Sequence, residues 1–97
     1  MAQIDEHTAS RVAELFGALS DTTRVRIIAA LAGGELNVRS IADAIGLSES
    51  AVSHQLRGLR HLHLVQGRKA GRRVYYSLED DHIAELYQRG LDHVRHG

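Results

Sequence analysis

Glycine is the only strong breaker of regular structure in this chain, which has nine glycines and no proline, so the glycines and the apolar spacing between them decide where helices stop. The most restrictive stretch runs from Val38 to Leu59. Val38, Ile41, Ala42 and Ile45 recur at helical spacing and end at Gly46, and after Leu47-Ser48 a new apolar face begins with Val52, Leu56 and Leu59. Two amphipathic segments of about eight and thirteen residues, joined by a glycine-containing turn of about four, match the spacing of a helix-turn-helix. Residues 36–62 carry it.

The flanking segments extend the pattern. Val12, Leu15, Phe16 and Leu19 have the spacing of one buried helical face and place a first helix around residues 7–19. A second helix, capped by Asp21 or Ser20, follows with Val25, Ile28, Ala29 and Leu31 until Gly33-Gly34 stops it. After Leu62 the period shortens: His63–Gln66 and Val74–Leu78 are β-prone runs joined by a glycine-bounded loop, residues 67–73, whose tip carries four positive charges. A last helix, capped by Asp80, runs to about Arg95. The expected fold is mainly α with a small β-hairpin, a single domain over residues 1–97. Its parts are the helix-turn-helix (36–62), a hairpin wing (63–78) and a final helix (79–96).

A hydrophobic fraction of 43% and a charged fraction of 25% are ordinary for a soluble globular protein. No apolar run approaches the ~20 residues that cross a bilayer, and no signal-like segment opens the chain, so a cytoplasmic address and no membrane partner are expected. With no cysteine, disulfides and thiolate metal ligands are excluded.

Net charge is zero, but the charges are segregated. Residues 1–49 hold four basic and seven acidic side chains, residues 50–78 six basic and none acidic, and residues 79–97 two basic and five acidic. An acid-free basic block inside a neutral protein points to a polyanion-facing surface. It coincides with the second helix of the helix-turn-helix and the hairpin. Ser50, Ser53, His54 and Arg57 form one polar stripe of that helix, small and hydrogen-bonding near its start, as entry into a DNA major groove requires. Ser50, Ser53 and His54 are the ones that would approach bases; Arg57 and Arg60 lie further along, where phosphates would be, and Arg68, Lys69, Arg72 and Arg73 of the hairpin would grip the phosphate backbone or minor groove. His61 and His63, at the helix-to-strand junction, read as structural.

Three runs carry a family resemblance: LSESAVSHQLRGL (47–59), LSDTTRVRI (19–27) and GRRVYYSL (71–78). The chain resembles the ArsR/SmtB family of metal-responsive winged-helix repressors over nearly its whole length. The resemblance implies a homodimer joined through the first and last helices, binding an inverted repeat in operator double-stranded DNA and releasing it when inducer binds. No enzymatic activity and no small organic substrate are expected, since no substrate pocket or poised base is visible in the sequence. Many members sense thiophilic ions through a cysteine in a Glu-Leu-Cys-Val-x-Asp-Leu motif; here residues 35–41 read ELNVRSI, and Asn37 stands at the cysteine position. A soft-metal site is not expected there.

The last helix offers other donors. His82 and His93 are eleven residues apart, which turns a helix only about 20° beyond three full turns, so with His96 they share one face. Along the axis, however, His82 and His93 are ~16 Å apart, too far to meet at one ion with bonds of about 2.0–2.1 Å. Two antiparallel copies of the helix would bring Asp80 and His82 beside His93 and His96 of the partner subunit, with Ile83, Leu86, Gly90 and Val94 as the apolar seam. Four nitrogen and carboxylate donors suit Zn(II), with Co(II) a close mimic. The spacing Asp-x-His-x₁₀-His-x₂-His is similar to the interhelical site of the family's zinc and cobalt sensors, which implies ligand roles for Asp80, His82, His93 and His96. The resemblance also implies coupling of that site to the DNA-binding core through a hydrogen bond from His93 to the backbone near His63. A Ni(II) sensor using the same four residues plus N-terminal ligands, for which His7 is the available side chain, is the alternative, as is a winged-helix regulator that does not respond to metal.

Overall fold

The computed structural model describes residues 3–97, so the first two residues of the expected 1–97 domain lie outside the described residues. Eight elements follow in order: α1 (Glu6–Ala18), α2 (Thr22–Leu31), β1 (Leu36–Asn37), α3 (Val38–Ile45), α4 (Glu49–His61), β2 (Val65–Ala70), β3 (Arg73–Leu78) and α5 (Asp81–His96). Every helix begins on a side-chain oxygen that accepts a hydrogen bond from an otherwise orphaned backbone N–H: Asp5, Asp21, Asn37, Ser48 and Asp80 are the caps. Of the two candidates for α2, Asp21 is the cap, and its Oδ2 accepts from the Arg24 N–H at 3.0 Å. At Asn37, where the resembling family places a metal-binding cysteine, the amide oxygen accepts from the Ser40 N–H at 2.8 Å.

The core lies where α2, α3 and α4 meet the root of the sheet. Val52, Leu56 and Leu59 of α4 are fully buried, in one cluster with Ile27, Ile41 and Val65. Each such aliphatic side chain contributes roughly 1.5–3 kcal/mol relative to exposure. Gly46, at φ 73°, turns the chain between α3 and α4 in the left-handed region, and the Gly46 and Leu47 N–H groups both donate to the Ala42 carbonyl.

The end of α4 sets the wing. Leu62 caps the helix and His63 follows at φ 59°; the His63 N–H donates to the Arg60 carbonyl and the Leu64 N–H to the Leu59 carbonyl. This pair of bonds is a Schellman motif, with buried Leu64 and Leu59 as its apolar partners. Its left-handed position normally belongs to glycine, and here a histidine occupies it.

Three features of the sheet differ from the sequence expectation. First, the strands continue through the basic residues: β2 reaches Ala70 and β3 starts at Arg73, leaving Gly71-Arg72 as a two-residue turn with only Gly71 (φ 64°) left-handed. The expected loop of residues 67–73 with four charges at one tip is thus replaced by a tight hairpin of type II′ pattern. Since successive strand residues face opposite sides, Arg68 and Lys69 point apart. Second, β1 adds a third antiparallel strand, pairing Leu36 with Tyr76 and Asn37 with Tyr75, in the order β1-β3-β2. Third, Gly67 lies within β2 and packs closely: a Cβ there would sit 3.3 Å from Tyr76 Cε1 and 3.4 Å from Val74 Cγ1, so any side chain would press on them.

The wing is tied to the core by a polar clamp. Arg68 donates from Nε and Nη2 to the two carboxylate oxygens of Glu35 at 3.0 and 2.7 Å, and its guanidinium carbon lies 5.2 Å from the centroid of the Tyr75 ring. Arg68 holds the Glu35 carboxyl below its ordinary value of 4.5. Both side chains face solvent, so the clamp fixes orientation more than it adds stability.

The apolar faces of α1 and α5 depart from expectation in another way. Val12 and Phe16, placed by spacing on a buried face, are 38% and 56% exposed, and Val94 of α5 is 73% exposed. Only Ala18 is buried in α1 and no residue of α5 is. Phe16, Leu19, Val25, Ile83, Leu86 and Gly90 are among the residues lining a groove of about 350 Å³ between these helices and α2. The expected stripes exist, but one chain does not cover them.

Two predictions follow from these contacts. His63→Gly, by relieving the left-handed position, should raise unfolding free energy by about 0.5–1 kcal/mol, measured by urea denaturation at fixed protein concentration; equal or lower stability would contradict the strain. In a carboxyl NMR titration Glu35 should protonate below its ordinary range and return to that range in Arg68→Gln. Because the folded value is depressed, the clamp's contribution is complete above pH about 4.5 and is lost as pH falls through the lowered value.

Candidate functional site

The polar stripe of α4 stands opposite the buried one. Because Val52, Leu56 and Leu59 are sealed into the core, helical geometry turns Ser50, Ser53, His54 and Arg57 outward; Ser50, His54 and Arg57 are exposed and Ser53 is half-buried. Ser48 anchors the first turn of α4, its hydroxyl accepting from the Ala51 N–H at 3.1 Å, so the stripe begins at a fixed helix end. Small side chains at a helix start are the kind that allow a backbone to approach base edges, and cations further along are the kind suited to phosphates.

The remaining basic residues fall into three places. The Arg60 guanidinium lies over β2, 3.6 Å from where a Cβ on Gly67 would be. Arg72 and Arg73 border a groove with Arg39 and Asp43 of α3 and Glu49 of α4, so cations and carboxylates share it. Lys69 faces the opposite side of the hairpin from Arg68, and Arg68 itself is engaged by Glu35. Of the α4 stripe and hairpin candidates, Arg68 alone is held in an ion pair among the described residues.

Asp80 and His82 sit together at the start of α5. Asp80 Oδ1 accepts from the His82 and Ile83 N–H groups at 2.9 and 3.3 Å, and His82 Nδ1 is 3.4 Å from the same oxygen. The side chains are 50% and 89% exposed. His93 and His96 occupy the last turn of the same helix, also exposed. Among the described residues no three His, Asp or Glu side chains of one chain form a metal-holding group. A carboxylate and imidazole at one end and two imidazoles at the other, all open to solvent, fit a borderline ion as two half-sites rather than as one closed site. Likewise, no hydrogen bond joins His93 to the backbone near His63 among the described residues; His63 is committed to the turn after α4. His7 lines a groove with His61 and His63, away from the donors of α5.

No helix among the described residues is long and apolar enough to cross a membrane.

Comparison with known proteins places these observations. Residues 21–66, from the cap of α2 into β2, match the bacterial regulatory protein arsR family. The chain is 52% identical over 87 residues to a transcriptional repressor SmtB homolog of Synechocystis, covering 90% of this chain and 66% of that protein, just under two thirds. It is 45% identical over 95 residues to the HTH-type transcriptional regulator NmtR of Mycobacterium tuberculosis, covering 98% and 79%. The fold superposes, with a TM-score of 0.82 and 33% identity, on the homodimeric winged helix-turn-helix DNA-binding domain Mb0332 of Mycobacterium bovis, covering 100% of this chain and 96% of that one. The architecture of α2 to β3 is accordingly a winged helix-turn-helix, and the chain belongs to the arsR family of bacterial regulatory proteins.

Proposed function

We propose that this protein is a metal-responsive transcriptional repressor that binds an operator inverted repeat as a homodimer and releases it when Zn(II), or Co(II), occupies intersubunit sites. The observation that carries the reading is the division of donors on α5, with Asp80 and His82 at one end and His93 and His96 at the other, beside an apolar groove that one chain leaves open. A twofold pairing of α1 and α5 would cover Phe16 and Val94 and bring the two kinds of half-site together. Support for dimerisation also comes from the homodimeric relative.

In this reading Ser50, Ser53 and His54 enter the major groove, and Arg57, Arg60, Lys69, Arg72 and Arg73 meet phosphates. Arg68 orients the wing through Glu35 and adds its charge from there. Asp80, His82 and, from the partner subunit's α5, the equivalents of the far-end histidines are the ligands. A bound ion supplies a rigid cross-link between the two copies of α5. The chain's own residues convert that into a change at the DNA: with α5 fixed in angle, two α4 helices no longer sit one DNA turn apart. His93, through its second ring nitrogen, would carry the change towards the backbone at His63.

A four-donor set favours zinc or cobalt over six-coordinate nickel, since His7, the side chain available for an extra ligand, lines a groove with His61 and His63. No substrate pocket with a poised base accompanies the donors, and the relatives are transcriptional regulators, so an enzymatic role is not proposed. The fold carries no membrane-crossing helix among the described residues, and a cytoplasmic location is part of the same reading.

The test is a titration of Zn(II), Co(II) and Ni(II) into the protein bound to operator DNA selected from a random duplex library, with the coordination number of each ion read by X-ray absorption. Zinc should weaken operator binding by between about 5- and 150-fold, the usual range of such coupling, and His93→Asn should abolish the effect. A six-coordinate nickel complex giving the largest release would replace the zinc assignment, and unchanged DNA affinity with all three ions would overturn the metal response.

A further inference from the structure

One cationic cleft extends the α4 stripe sideways onto α2, away from the wing. It opens between α2 and α4 and is lined by Arg24, His54, Gln55, Arg57, Gly58 and His61. No carboxylate is among them. Arg24 reaches across from α2: its Nε donates to Gln55 Oε1 at 3.0 Å, in a half-buried bond that joins residues 31 apart in sequence. Its Nη2 lies 3.6 Å from where a Cβ on Gly58 would stand, so the guanidinium lies along the bare backbone of α4 at that position. With Nε taken by Gln55, the four N–H groups on the two Nη atoms form no other hydrogen bond among the described residues.

The α4 side of the cleft continues the DNA-facing stripe. His54, Arg57 and His61 stand at i, i+3 and i+7, on one helical face with Ser50 and Ser53. An anion seated against Arg24 and Arg57 would therefore lie next to the bases that the serines approach, where a recognition helix leaves the groove and passes the sugar-phosphate strand.

We propose that the α2–α4 cleft is a phosphate subsite, in which Arg24, aimed by Gln55, and Arg57, with His61 beside them, hold one backbone phosphate of duplex DNA. The proposal rests on the DNA-binding reading above and adds a contact from outside the helix-turn-helix and the wing. Arg24 is then the one cation of the acidic N-terminal half that belongs to the DNA surface. Gly58 keeps the floor of the subsite low enough for a strand to approach.

The experiment is fluorescence anisotropy of the metal-free full chain binding a labelled 30-base-pair duplex of arbitrary sequence, at a series of salt concentrations. Phosphate contacts are independent of sequence, and each one contributes about 0.9 to the slope of log affinity against log salt. Arg24→Gln should reduce that slope by about 0.9 and weaken binding about tenfold at 0.1 M salt. Arg24→Lys, which keeps the charge but loses the Nε bond to Gln55, should restore most of the slope. Arg26→Gln, about 200° around α2 from Arg24, should leave it unchanged. If wild-type protein binds and Arg24→Gln keeps the wild-type slope, Arg24 only braces α2 against α4 and the subsite is overturned. If Arg26→Gln lowers the slope as much as Arg24→Gln, the effect is one of net charge and the subsite is likewise overturned. If wild-type protein binds no duplex at all, the DNA-binding reading fails and the subsite with it. Circular dichroism of each variant separates a lost contact from a lost fold.

Discussion

The fully buried face of α4 is the constraint on which everything else depends. Val52, Leu56 and Leu59 are each 0% exposed, so the rotation of α4 about its own axis is fixed by close packing. A helix locked on one side presents the other side in a defined direction, and here that side carries serines, a histidine and an arginine in place of a random polar surface. The same lock fixes where the helix ends, and therefore where the wing begins. Cap chemistry refines it: Ser48 at the start and the Leu59–Leu64 bond at the finish define both boundaries.

Much of this was legible in the sequence because it is written in local periods. Helical spacing and breakers located all five helices to within a residue or two, and in a chain without proline the Gly46 turn and the Asp21 and Asp80 caps could be read directly, whereas the caps at Asp5, Asn37 and Ser48 emerged only in the structure. What escaped was what depends on distant partners. β1 is two residues long and exists only because Tyr75 and Tyr76 pair with it. Gly67 and Lys69 read as loop residues by composition, yet their pairing with β3 makes them strand. Glu35 and Arg68 are 33 positions apart, and Arg24 and Gln55 are 31 apart, so neither contact leaves a trace in local pattern. His61 is different: its place seven residues after His54 on the polar stripe was available to the eye, but its nearness to the strand junction suggested a structural role. The four α5 donors were legible as a spacing, and the single chain leaves them as the two separated ends that the helix geometry requires.

The uneven distribution of burial divides the molecule into two mechanical parts. From α2 to β3 the chain has a sealed core of its own, whereas α1 buries a single alanine and α5 nothing completely. The long dimension of 50 Å against 31 and 21 Å reflects this. A compact reader joined to weakly anchored outer helices is suited to regulation, because the outer helices can change their mutual angle at little cost to the core. The clamp between Glu35 and Arg68 works in the opposite sense, holding the wing to the reader.

The left-handed residue after α4 has a further consequence for how such a chain can vary. Between Leu59, locked in the core, and Val65, locked at the root of the sheet, the backbone has a fixed count of residues and one obligatory reversal of hand at His63. Inserting or deleting one residue there would exchange the two faces of β2, sending Lys69 to the side of Glu35 and Arg68 away from it. The hairpin can thus lengthen at its tip, at Gly71-Arg72, without disturbing the reader, but its root tolerates substitution and not change of length. Drift in wing size and constancy of wing phase are both built into that one turn.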